Sequence, residues 1–337
     1  MAACSTTTTA QRHEALGGVS GHYAFGEIAN DFLASAGELA FATRASYRKI
    51  LAHYWRPEFG AREFLSIKAS ELKRFIGGYP WDSVKTRNNV VSVGRRVFDF
   101  GYDDHAQLQN PAEKLKSLRV QKPTPDPFTL DEAEAIIAGV RHDWGEHDGN
   151  YVEFQFFAEA RPSETIAAQW KNLDKKRGTL RISEARVMGQ SKKTTKTCTE
   201  RDIELNPRAL ALLNRQRPLT ILLEHGRIFG IETGEPFNDL QRPWKRWAFT
   251  LKRLGIRYRE PYQARHTSVT WNLMIGKNLL WVAKNHGHSP AVMLKTYATW
   301  LEGTTTKEIA EIQRALGFAT SLPLKSTLVT YLADSKG

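Results

Sequence analysis

The chain has 337 residues, a formal net charge of +12 and a 41% hydrophobic fraction, which gives room for two domains with cores of their own and favours an anionic partner. Its two cysteines, Cys4 and Cys198, make neither a disulfide framework nor a metal-ligand pattern, so no metal or cofactor is expected. No apolar run approaches the roughly 18 residues that span a bilayer, and the N-terminus lacks a secretory signal. A cytoplasmic protein with no membrane partner is the expectation.

Residues 1–21 are rich in Thr, Ser, Ala and Gly without periodicity, and read as a disordered tail. From there Phe25, Ile28, Ala29, Phe32 and Leu33 recur at helical spacing. Thr43 is placed to cap a second helix, with Tyr47, Ile50, Leu51 and Tyr54 on one stripe and a break at Pro57 and Gly60. A third helix begins at Ser70, carries Leu72, Phe75 and Ile76, and ends at Gly77-Gly78-Tyr79-Pro80. A fourth is predicted over 83–100 with Val90, Val93, Val97 and Phe98 inward. Lys85, Arg87, Arg95 and Arg96 decorate its other faces. Such a run is ordinarily a solvated face, and becomes a contact face where the rest of the chain has its own reason to meet an anionic partner. Asn110-Pro111 leads into a basic segment, 114–119.

The stretch 120–128, VQKPTPDPF, holds three prolines and reads as a stiff linker between a helical domain (22–119) and a second domain (129–318), with a C-terminal tail over 319–337. Thr129 and Glu132 form a capping box. A helix through 151–160 reaches RPSETIAAQW, and 178–205 reads as two or three short strands around a Lys/Thr-rich turn. Helices follow near 207–216 and 237–254. Arg242, Lys245, Arg246, Lys252, Arg253, Arg257 and Arg259 are interleaved with Trp244, Trp247 and Tyr258. That pattern suits phosphate contacts laid over a packed base, with some of the tryptophans serving the core. The fold class expected is mainly α with a small β-sheet.

The stretch from Pro261 to Trp300 places Arg265, His288 and Tyr297 at separations of 23 and 9 residues. A guanidinium holds a phosphate with two parallel hydrogen bonds, an imidazole adds a donor, and a phenol can attack phosphorus to form a covalent intermediate. These separations and their flanking residues (RHT, GHS, and the tyrosine nine after that histidine) resemble the tyrosine recombinase, or phage integrase, family. The helical half is similar to that family's core-binding domain through ATRASYRKIL and KTRNNVVSVGRRVFDFG. The resemblance spans roughly residues 22 to 318.

The resemblance implies a C-shaped clamp on duplex DNA and cleavage to a 3′-phosphotyrosine with a free 5′-hydroxyl, without metal. It also implies strand exchange in a homo-tetramer formed on DNA from free monomers or weak oligomers, with host or element DNA-bending factors as accessory partners. Charge on the non-bridging oxygens must be stabilised, a nucleophile aimed in line, and the leaving oxygen protonated. By resemblance the arginines are Arg161, from RPSE, and Arg265; His288 donates to a phosphoryl oxygen and Tyr297 is the nucleophile. The general acid is a lysine in the β-turn, and counting back eight residues from Glu204 selects Lys196. Lys192 and Lys193 then touch backbone phosphates, with Arg242, Lys245 and Arg246. Glu164 matches an acidic position that orients an active-site side chain.

Two positions depart from the family pattern. Tyr262 stands where a histidine is usual, three before the second arginine, and is expected to position the phosphate or pack beneath it. Glu159 replaces a usual glycine two before the first arginine, placing a carboxylate near an anion site. About 20 residues precede the first helix, so no arm-binding domain is expected. The leading function is a site-specific recombinase, the integrase of a phage or other mobile element. Its rivals are a type IB topoisomerase-like enzyme and a non-catalytic DNA-binding relative. KEIAEIQRALGF, after Tyr297, is expected to form a helix that docks on a neighbouring subunit through Ile309, Ile312, Leu316 and Phe318.

Overall fold

A computed structural model describes residues 23–105, 108–121, 124–192, 200–297, 300 and 306–317. The two expected tails, Lys193, Lys196 and Phe318 lie outside them. The chain divides into two compact units, Met1–Lys122 and Pro123–Gly337. Both are built mainly of helices, and all the named strands lie in the second. No helix among the described residues is long and apolar enough to cross a membrane.

In the first unit, helix α1 (Phe25–Ser35) buries Phe25, Ala29 and Phe32. Helix α2 (Phe41–Ile50) starts after Ala40 with no side-chain cap, so Thr43 lies inside the helix instead of capping it. Nor does Pro57 break the helix. A π-helical turn, Leu51–Trp55, leads directly into an α-turn, Arg56–Phe59. Proline has no N–H to donate, and here it falls where the ladder changes register after the wider turn. The run ends at Gly60, whose carbonyl accepts the Gly26 N–H at 3.0 Å.

Helix α3 (Ala69–Gly78) is capped at Lys68, whose N–H the Glu71 carboxylate accepts at 2.8 Å. It takes in Gly77 and Gly78 before stopping at Tyr79. Helix α4 (Val84–Tyr102) opens with the Ser83 hydroxyl accepting from the Thr86 N–H at 3.0 Å and buries Val90, Val93, Val97 and Phe98 as the periodicity predicts. Trp55 is fully buried and donates from Nε1 to the Val90 carbonyl at 3.0 Å. The indole lies so close to Gly94 that a Cβ there would sit 1.9 Å from it. Asn88 exchanges two hydrogen bonds with Leu118, at 2.8 and 2.9 Å, and Arg87 donates to the Lys116 carbonyl at 3.3 Å. Part of the expected basic face therefore binds the chain's own backbone.

In the second unit, the expected linker is anchored at its far end. Phe128 is buried, its N–H donating to Thr267 Oγ1 at 2.9 Å, while the Asp126 carboxylate accepts from Arg257 at 2.6 Å. Helix α5 (Leu130–Trp144) has the reciprocal Thr129–Glu132 capping box, at 2.9 and 3.1 Å. Helix α6 (Glu146–Phe157) is buried on every face from Asp148 onward and is the core's axis. It ends at Phe157, three residues short of the helix expected to reach Ala160.

Among the described residues five short strands follow. β1 (Leu173–Asp174), β2 (Thr179–Ile182) and β5 (Arg201–Glu204) form one antiparallel sheet in the order β1-β2-β5, with Leu180 opposite Ile203. β3 (Ala185–Val187) and β4 (Gln190–Lys192) form a separate hairpin. Helix α8 (Pro207–Thr220) outruns its expected end, and α9 (Gln241–Arg253) begins later than expected. Before them comes the short α7 (Pro162–Thr165); after them come α10 (Tyr262–Met274), α11 (Leu279–His286), α12 (Pro290–Tyr297) and α13 (Thr306–Ala315). α13 packs in part on its own unit. Ile312 and the following Leu316 are buried in the core of their own unit, and the Leu316 carbonyl accepts the Arg208 N–H at 3.3 Å. Ile309 is half-buried.

Candidate active site

Three chain segments deliver arginines to one helix end. Arg161 follows α6 through an extended stretch and caps α7, with Pro162 in its first turn. Glu164 at the third helical position accepts the Arg161 backbone N–H and its Nη1, each at 2.8 Å. Arg201 opens β5 and Arg265 lies in the first turn of α10.

The receiving element is the C-terminus of α11, which ends in a Schellman motif. Gly287 adopts φ +61°, its N–H donates to Lys284 and the His288 N–H donates to Ala283 at 2.9 Å. A side chain at Gly287 would be strained by that φ, and its Cβ would stand 3.2 Å from Arg201 and 3.3 Å from Arg161. The closure leaves the next three carbonyls without helical donors. Each takes one arginine: Asn285 from Arg201 at 2.9 Å, His286 from Arg265, and Gly287 from Arg161 at 2.7 Å. The negative end of the helix dipole thus gathers three cations without cancelling their charge.

Glu164 adds one carboxylate to the cluster. Arg201 grips it with two bonds, at 3.0 and 2.7 Å. Burial alone would raise its pKa, but the Arg201 hydrogen bonds and charge, with help from Arg161, hold it at about 2. Its expected orienting role matches this geometry, with Arg201 as an unexpected second client. Arg265 is buried and also donates to the Glu159 carbonyl at 2.7 Å. Burial, reinforced by Arg161 and Arg201, pulls its pKa down to about 10, which leaves it charged at neutral pH. Its buried Nε has no acceptor among the described residues.

Glu159 joins this site through its backbone. Its side chain is fully buried, and burial, opposed by Lys277, raises its pKa to about 7. The carboxyl group expected beside the anion site is therefore about half protonated at neutral pH.

His288 Nε2 lies 3.3 Å from Arg265 Nη2 and its Nδ1 lies 3.3 Å from Met293 Sδ. Burial, then Arg265 and Arg161, depress its pKa to about 3, so the ring is neutral and accepts from Arg265. Tyr297, on the last residue of α12, is buried in a small cluster with Val269, Leu273, Val282, Ala283 and Met293. Its ring stacks on His288 at 6.3 Å, and its hydroxyl lies 2.5 Å from His266 Nδ1. Burial raises the phenol above its ordinary pKa, with Arg265 opposing. Tyr262 packs edge-on against His266 at 5.3 Å.

The structure thus brings together Arg161, Arg265, His288, Tyr297 and, through His266, Tyr262. Reading the sequence for chemistry passed over Arg201 and His266. His266 carried a signal, being adjacent to Arg265 and four residues after Tyr262, hence on the same helix face. Arg201 carried none, because its partners lie 37 and 84 residues away.

Among the basic residues expected on DNA, Lys85, Lys192, Lys245 and Arg96 are exposed, with Arg96 over the Tyr47 ring. Arg95 is half-buried, and its Nε has no partner among the described residues. Arg246 pairs with buried Asp148, Arg242 with Glu232, and Arg253 with Asp143 at 2.9 Å. Trp247 is core, whereas Trp244 is exposed.

Comparison with known proteins fits this arrangement. Two relatives in Escherichia coli strain K12 are each 26% identical. IntQ, described as a defective protein, aligns over 291 residues, 78% of this chain and 72% of its own. The prophage integrase IntR aligns over 258 residues, 69% and 62% respectively, so the chain spans under two thirds of IntR. The fold is shared with the Tn1549 transposon integrase in complex with transposon right end DNA (TM-score 0.69, 16% identity, 87% of this chain and 99% of that one). It is also shared with a lambda integrase tetramer bound to a Holliday junction (0.65, 12%, 83% and 85%). The sequence model of the phage integrase family matches residues 127–302, just over half of the chain and including Arg161, Glu164, Arg201, Arg265, His266, His288 and Tyr297, and the chain belongs to that family.

Proposed function

We propose that this protein is a site-specific DNA recombinase that cleaves and rejoins duplex DNA through a 3′-phosphotyrosine at Tyr297. The observation that carries the proposal is the convergence of Arg161 and Arg265 on one helix end beside His288 and the Tyr297 hydroxyl. Two guanidiniums with N–H groups left over provide fixed positive charge where the phosphorane oxygens gain negative charge. His288, neutral in the empty site, gains basicity when a phosphate offsets the neighbouring arginines, and can then donate to a phosphoryl oxygen. Tyr262 supports His266 and the phosphate-facing end of α10. Lys196 is the proposed acid for the leaving 5′ oxygen.

Duplex DNA is the proposed partner, contacted on backbone phosphates by Lys85, Arg96, Lys192, Lys193 and Lys245. A tetramer on DNA is the proposed assembly, by likeness to the lambda integrase tetramer, and the cytoplasm is the proposed compartment. Arg242 and Arg246 contribute to DNA affinity to the extent that they can leave Glu232 and Asp148.

The test is trapping of covalent adducts on a nicked duplex. Tyr297→Phe removes one oxygen and little volume, so duplex binding should survive and adducts vanish. Lys196→Ala should slow cleavage about 10²–10⁴-fold, as expected for loss of a general acid. Replacing the bridging oxygen by sulfur should rescue Lys196→Ala alone, because thiolate leaves without a proton. Adducts in Tyr297→Phe would refute the nucleophile, and absence of selective rescue would refute the acid.

A further inference from the structure

We infer that His266 is a catalytic residue, the base that receives the proton of the Tyr297 hydroxyl when it attacks DNA. The inference rests on the proposed role of Tyr297 as nucleophile. Its ground is geometric. His266 Nδ1 is 2.5 Å from the Tyr297 oxygen, and the rings are 5.7 Å apart at 42°. The two residues come from α10 and α12, so the contact is tertiary and not an accident of sequence neighbourhood.

The position that would ordinarily offer an imidazole holds Tyr262, and a phenol is a poor base at neutral pH. Tyr262 instead sits one turn before His266 and braces its ring edge-on. The groups facing His266 are Tyr262 and Arg265 on its own helix, His288 from the turn after α11, and Tyr297 from α12. Burial first, and Arg265 second, lower the His266 pKa to about 4, so the ring is neutral, and in the tautomer protonated on Nε2 its Nδ1 accepts the phenolic hydrogen.

In the step itself the Tyr297 oxygen–phosphorus bond forms and the phenolic proton passes to Nδ1. The bond from phosphorus to the 5′ oxygen breaks, and that oxygen takes a proton from the acid assigned above to Lys196. Rejoining reverses both transfers. A phosphate arriving beside Arg265 offsets the guanidinium charge that depresses the ring, and so raises the basicity of His266 when it is needed.

The test uses the full chain and single-turnover cleavage of a nicked duplex between pH 5 and 9. His266→Asn places an amide oxygen near the position of Nδ1, keeping a hydrogen-bond acceptor but not a base. We expect cleavage slowed about 10²-fold or more, the usual worth of a general base, with duplex binding unchanged. The variant's rate should climb with pH while the parent's stays nearly flat around neutrality. A fluorinated tyrosine at position 297, a stronger acid, should accelerate the variant far more than the parent. His266→Gln repeats the measurement should the first variant fold poorly. A variant with the parent's rate and pH profile overturns the inference, as does one slowed with no pH or fluorotyrosine response. If adducts persist in Tyr297→Phe, the nucleophile assignment itself falls; if they vanish there yet His266→Asn cleaves normally, only the role of His266 falls.

Discussion

The two units solve the problem of a stable interior in opposite ways. Among the described residues, every buried polar or charged side chain lies in the second unit, from Asp148 to Gln313, and none in the first. The first is closed by aromatic packing around Trp55, which touches Phe25, Phe59, Phe75 and Phe98. The second threads ion pairs through its core, with Glu153 joined to Arg141, Arg208 and Arg215 and Glu164 to Arg161 and Arg201. A dry core is indifferent to pH and sensitive to volume. A core holding charges is sensitive to which protons are present, and that sensitivity accompanies a site built to receive an anion.

The largest expected effect is that of Glu164→Gln. It removes the buried carboxylate that the half-buried Arg161 and Arg201 share and should destabilise the second unit by about 3–5 kcal/mol at pH 7. The same residue predicts an acid limb. Its pKa is about 2 in the folded chain against 4.5 for the free group, so its contribution is complete above pH 4.5 and disappears as pH falls toward 2. That loss is of order 3 kcal/mol, and Glu164→Gln should abolish it in urea titrations across this window.

Glu159→Gln should act with the opposite sign. The folded group binds its proton up to about pH 7, against 4.5 for the free group, so the parent is most stable below pH 4.5 and loses stability as pH rises through 7. The glutamine variant avoids this loss. It should be more stable than the parent at pH 8 by of order 3 kcal/mol and nearly equal at pH 4.5. Equal gains at both values would break the claim that this carboxylate is held protonated.

In the first unit, Gly94→Ala should cost about 1–3 kcal/mol through overpacking against Trp55, with no dependence on pH between 4 and 8. A pH-dependent penalty would blur the contrast between the units. The smallest effect is that of Ser83→Ala, about 1 kcal/mol for the lost helix cap, readable in thermal melts of the same unit.

The contrast also explains what could be read in advance. Val90, Val93, Val97 and Phe98 announce the inner face of α4 because apolar spacing is local. The joint spacing of Arg265, His288 and Tyr297 was legible because chemistry demanded those types in one stretch. The continuation of α2 through Pro57 was hidden, since proline usually stops a helix and a π-turn leaves no pattern of its own. Glu159 was legible as an intruder but not as a buried acid, which only its surroundings determine. His266 escaped notice because its meaning depends on α12 folding back onto α10. That Ile312 and Leu316 pack on their own unit escaped because an apolar stripe does not say which surface will cover it.

The turn at Gly287 has a mechanical consequence. Three guanidiniums that enter from α7, β5 and α10 are all moored to consecutive carbonyls of one helix terminus, so they share a single handle. Drawing α11 outward by a fraction of an ångström would slacken all three moorings together, whereas no motion of one arginine's own element does so. One turn of backbone therefore sets the positions of three charges as a group.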